Sequence, residues 1–173
     1  MDAARENGSG YGGFLVVAEA GVQKPRFLFM AETWDQVALA QLQSDVLSMP
    51  AGECFEAVML ADAVARRLKG LSHLWYLTDS VATRSAITTG NSGAPQLDFL
   101  VTWLCQRQPG VQFIAVHGKG VRNVVADRLS RGGAAGVLSE VQEAGLLCER
   151  LFPDPEAVSV IRHTASLDHK RRA

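Results

Sequence analysis

Residues 111–131 read VQFIAVHGKGVRNVVADRLSR, and their reading sets the class of fold. The run VQFIAV at 111–116 follows Pro109-Gly110 and ends in His117-Gly118-Lys119-Gly120, the pattern of a short strand entering a glycine-containing loop. Beyond the loop, the apolar spacing predicts helix from Val121 to about Ala144, with Gly132, Gly133 and Gly136 as breaks. Asn123 and Asp127 lie four positions apart and so share a helical face, while His117 on the loop is placed to swing over it.

Working outward, LSHLWYLTDS at 71–80 is rich in strand formers and stops at Thr78-Asp79-Ser80, which puts Asp79 at a strand's carboxyl end. Ligands of α/β proteins gather at such ends. Short helices are expected at 81–89 and 95–108, and the clearest helix at 53–68, where Phe55, Met59, Leu60, Ala63, Val64 and Leu68 make one stripe after an interruption at Pro50 and Gly52. A further short helix fits 35–47. GSGYGGFLVVA at 8–18 and RFLFMAETW at 26–34 read as two strands of an antiparallel hairpin. No Lys-Ser pair follows the glycines, so they are read as allowing a tight hairpin and not as a phosphate cradle. Pro153, Pro155 and the basic end HKRRA suggest a loose, solvated tail.

Composition narrows the class. The 173 residues suit one domain with a tail, and 47% hydrophobic with 20% charged residues is a globular profile. Seventeen Lys and Arg against eighteen Asp and Glu give a net charge of −1, so any cationic groove for nucleic acid must be local. Cys54, Cys105 and Cys148 lie far apart, which speaks against a zinc site or a disulfide framework and for reduced thiols. No apolar run is long enough for a membrane span and no signal peptide is visible, so the compartment is read as intracellular, nucleus and cytoplasm not being distinguished. Trp34, Trp75 and Trp103 each sit in apolar stretches and are read as core; His73 and His163 are read as structural or exposed.

The string Asn123-x-x-Ala126-Asp127-x-Leu129-Ser130-Arg131, with His117 before it, resembles the ribonuclease H family, especially the form carried by the reverse transcriptase polyproteins of retroelements. The resemblance runs from Asp2 to about Arg131. It implies an α/β fold: a ribonuclease H-like mixed β-sheet flanked by helices, occupying 1–145, with 146–173 as a partly flexible extension. It also implies catalytic residues Asp2, Glu56, Asp79, His117 and Asp127, of which the four acids would hold two divalent ions, Mg²⁺ or Mn²⁺. By the resemblance Asp2 bridges both ions, Glu56 and Asp79 serve the one nearer the attacking side, Asp127 serves the other, and His117 assists proton transfer or product release. Ser80 and Asn123 would bind substrate. Such a pair of ions about 4 Å apart activates water and stabilises the leaving oxygen.

The implied activity is endonucleolytic hydrolysis of the RNA strand of RNA/DNA hybrids, with other segments of a reverse transcriptase as possible partners and no membrane. Only Met1 precedes Asp2, so the first strand is expected to be truncated. Glu53, one turn before Glu56, is an alternative ligand; Glu56 fits the family's apolar rhythm through Met59, Ala63 and Val64. Val81 stands where many family members carry an amide that contacts nucleic acid. Two rivals follow: a catalytically inactive remnant that only binds nucleic acid or protein, and a proofreading-type exonuclease, which would want an acid where Ala4 stands.

Overall fold

A computed structural model describes residues 10–18, 23–118 and 124–167. Its elements follow the order β1 (Gly10–Val17), β2 (Arg26–Thr33), α1 (Gln36–Gln43), α2 (Met49–Arg67), β3 (His73–Thr78), α3 (Val81–Thr89), α4 (Pro95–Arg107), β4 (Gln112–His117), α5 (Val124–Ser130), α6 (Ala134–Glu143), β5 (Leu147–Arg150) and α7 (Ala157–Ser166). The chain is α/β. Among the described residues the strands form two sheets and not the single mixed sheet expected: β1-β2-β5 is one, β3-β4 the other.

β1 and β2 make the expected antiparallel hairpin, in register from Gly10 with Thr33 to Val17 with Arg26. β5 adds to β2 in parallel, and β4 to β3 in parallel, Thr78 lying beside His117. His117 is thus the last residue of a strand and not a loop residue, because its main chain continues the β3-β4 ladder, which Gly118 extends by donating its N–H to the Thr78 carbonyl at 2.9 Å.

α2 begins four residues earlier than its apolar stripe suggested. Ser48 caps it, accepting from the Ala51 N–H, and Pro50 falls in the first turn, where a missing N–H costs nothing. Gly52 inside the helix lets α1 come close; a Cβ there would stand 3.0 Å from Leu42. Gly132 and Gly133 do separate α5 from α6, but Gly136 lies within α6.

The main core packs β1 and β2 against α1, α2, α4 and α7 through Leu28, Met30, Leu42, Phe55, Leu100 and Ile161. A smaller core lies on the other face, where Phe27 and Phe29 meet Leu129 and Val137. Sheet and helices therefore stack in three layers. The stretch after residue 145, expected as an extension, supplies β5 and α7 to this same body, with Val160 and Ile161 buried. Trp34 is buried as expected, whereas Trp75 is 64% exposed. It was read as core, but it points to the face of β3 that no described helix covers.

The glycines of β1 serve close packing, not a turn. A Cβ on Gly10 would land on the Glu32 carbonyl oxygen, one on Gly13 would stand 2.5 Å from Leu60, and one on Gly12 would meet the Met30 carbonyl at 2.8 Å and Leu129 at 3.0 Å. Gly12→Val is expected to destabilise the fold by about 2–3 kcal/mol through this overpacking, measured by urea unfolding.

Across the layers, the fully buried Asp62 of α2 accepts from Arg66 Nε and Gln108 Nε2, each at 2.8 Å, and faces Arg107 at 3.5 Å. Arg107 in turn bonds Asp154, so one carboxylate ties α2, the end of α4 and the segment leading to α7.

Candidate functional site

β1 and β3 line opposite sides of a cleft of about 390 Å³, floored by the apolar face of α2. Glu53, Glu56 and Asp79 gather at one end of it. Three separate elements meet there: the start of β1, the first half of α2 and the carboxyl end of β3.

Glu56 is the most constrained of the acids. Its Oε1 accepts the Gly12 N–H at 2.9 Å. Burial pushes its carboxyl up to about 8; the Gly12 hydrogen bond pulls it down, and Asp79, Glu53 and Asp127 push it further up. The unfolded chain ionises this group near 4.5, so between 4.5 and about 8 the folded state holds a proton that the unfolded state has lost. Its contribution is full below pH 4.5 and is lost as the pH rises to about 8. Without divalent ions, thermal melting should therefore show stability falling from acid to mildly alkaline pH, and Glu56→Gln should flatten that fall.

Asp79 follows β3 directly and is exposed. His117 is likewise exposed and sits one strand away, in register with Thr78. Asp127 on α5 is close enough to act on Glu56 by its charge, yet its Oδ1 accepts from Arg131 Nε at 2.8 Å, a half-exposed pair one helical turn long. Ser80 does not face solvent: it is buried, caps α3 by accepting from the Thr83 N–H, and donates its own N–H to Thr78 Oγ1. Its hydroxyl is engaged in forming the helix start, which leaves it a poor substrate contact. Asp2 and Asn123 lie outside the described residues.

Among the described residues, no three His, Cys, Asp or Glu side chains form a group that could hold a metal ion. The donor type nevertheless suits a hard divalent cation, since Glu56 and Asp79 offer only carboxylate oxygens. Glu56, buried beside other acids, would be relieved by positive charge. On that chemistry the residues present fit Mg²⁺ or Mn²⁺.

The sequence reading named Glu56 through the family resemblance and placed Asp79 at a strand end, but it did not name the partner of Glu56. Gly12 was read only as a hairpin residue, and nothing local marks a strand amide as a carboxylate's donor. A signal for Trp75 did exist: Leu74 to Leu77 is apolar at every position, so one face of the strand had to be either covered or exposed. Comparison with protein families, with curated proteins and with solved structures finds no match to this chain. No helix among the described residues is long and apolar enough to cross a membrane.

Proposed function

We propose that the chain is a ribonuclease H-like domain of a reverse-transcribing element that hydrolyses the RNA strand of RNA/DNA hybrids with divalent metal ions. The observation that carries this reading is the meeting of Glu56 and Asp79, from a helix and a strand end far apart in sequence, at one end of a single cleft. Supporting it are the antiparallel hairpin before the Glu56 helix, the parallel β3-β4 pair, and a later helix whose Asp127 acts on Glu56 by charge.

Glu56, Asp79 and Asp127 would hold the ions together with Asp2. Bound there, the ions would supply a water nucleophile of lowered pKa and stabilise the leaving oxygen. For Asp127 this requires Arg131 to turn away, which is cheap for a half-exposed pair. His117, exposed and in register with Thr78, would take or give a proton at the departing strand. The 2′-hydroxyl is the group by which such a site would tell RNA from DNA.

The test is a labelled RNA/DNA hybrid incubated with the protein and millimolar Mg²⁺ or Mn²⁺. Cuts in the RNA strand alone, lost on chelation, are expected; duplex DNA should stay whole. One observation favours a second reading: among the described residues the two sheets do not join. An inactive domain that only binds nucleic acid or protein would shift the hybrid on a gel and leave it uncut with either ion.

A further inference from the structure

Two arginines at the end of α5 have different partners. Arg128 forks onto Glu140 of α6, Nη1 to Oε2 at 2.8 Å and Nη2 to Oε1 at 3.0 Å. Arg131, the residue that follows α5, reaches back one turn, and its Nε donates to Asp127 Oδ1 at 2.8 Å. The main chain fixes the start of that reach. Gly132 turns into the left-handed region at a φ of 79°, the Gly133 N–H bonds the Arg128 carbonyl at 2.8 Å, and the Arg131 N–H still closes a helical bond onto the Asp127 carbonyl at 3.1 Å. Arg131 is thereby held four residues beyond Asp127, the spacing at which a cation and a carboxylate meet on one helix face.

The same short helix packs on β1. Leu129 lies close against Gly12, and Ala126 lines the cleft that Glu56 and Asp79 share. Asp127, next to Ala126, is near enough to Glu56 to act on it by charge. A carboxylate among other acids gains from a neighbouring positive charge, and here a side chain of the chain itself supplies it. A divalent ion coordinated by Asp127 would need the oxygen that now receives the Arg131 Nε–H, and its charge would repel the guanidinium.

We propose that Arg131 is a built-in competitor for the ion at Asp127: it neutralises the carboxylate while no metal ion is bound and is displaced as the ion enters, which lowers the affinity for that ion. This role rests on the metal-dependent reading of the cleft and adds to it a residue outside the ligand set. Because the pair is half-exposed, the competition is modest in size and weakens as salt rises. Metal loading at Asp127 becomes sensitive to whatever draws Arg131 away.

The test is Mn²⁺ titration of the full chain without nucleic acid, free Mn²⁺ being read by electron paramagnetic resonance. Arg131→Gln should tighten the binding of one ion about two- to fivefold, the worth of an exposed ion pair. Arg131→Lys, which keeps the charge but not the planar fork, should fall between that variant and the parent. Arg128→Gln separates competition from net charge, since it removes the same charge from the same helix but not from Asp127; its affinity should match the parent's. In an Asp127→Asn background, Arg131→Gln should bring no gain. High salt should narrow the difference between parent and Arg131→Gln. Equal affinity of parent and Arg131→Gln, or an equal gain in Arg128→Gln, would overturn the role of Arg131 and leave the functional reading standing. Failure of the parent and every variant to bind Mn²⁺ would overturn both.

Discussion

Asp79→Asn is expected to lower Mg²⁺-dependent cleavage of an RNA/DNA hybrid by about three orders of magnitude while leaving the melting temperature unchanged. The amide keeps the shape of the side chain but removes a charge that would hold a metal ion, and loss of several kcal/mol of charge stabilisation is about a thousandfold in rate. Stability should not move, because Asp79 is exposed and lies just past the end of β3. Initial rates on a labelled hybrid, with a thermal melt of the same preparation, decide it. Cleavage within a few-fold of the parent protein would remove Asp79 from the site and with it the functional reading.

The largest effect on stability should come from Asp62→Ala, about 3–5 kcal/mol of destabilisation by urea unfolding. The carboxylate is fully buried and accepts from Arg66 and Gln108 while facing Arg107. Its removal empties a fully buried position and takes an acceptor from the half-buried Gln108 and from the partly exposed Arg66 and Arg107, and that loss across three elements, not the worth of one ion pair, sets the size of the effect. Glu140→Ala provides the contrast. Glu140 bonds Arg128 at 2.8 Å, but the pair is open to solvent, so its loss should barely move the unfolding midpoint. Equal effects in the two variants would mean that Asp62 is not the joint it is taken to be.

What the sequence made legible follows from how local each signal is. The β1-β2 hairpin and the α3 and α4 helices were readable because alternation, apolar spacing and Gly90 act within a few residues. Asp79 could be placed at a strand end from its own segment, whereas Glu56 was named only through the family resemblance, with Glu53 one turn away as the alternative. The start of α2 was misplaced because proline was weighed as a breaker, though in a first turn it is not one. β5 was missed because Leu147–Arg150 is only four residues long and becomes a strand by pairing with distant β2. Nothing in the sequence singles out Asp62, because its Arg66 partner stands one turn on and a pair at that spacing is common on exposed helix faces. The division into two sheets had no local signature, since it depends on what lies between β1 and β3.

The parallel pairing of β2 with β5 also bears on how the chain is made. Arg26 must find Leu147, so the three-stranded sheet closes only after nearly all of the described chain has left the ribosome. Contacts so far apart in sequence slow folding, because loop entropy is lost before the pairing compensates for it. Until then β2, with Phe27 and Phe29 on one face, presents a bare apolar edge to other nascent chains. Expression yield should thus depend on chaperone supply and growth temperature more steeply than the equilibrium stability of the finished protein would suggest.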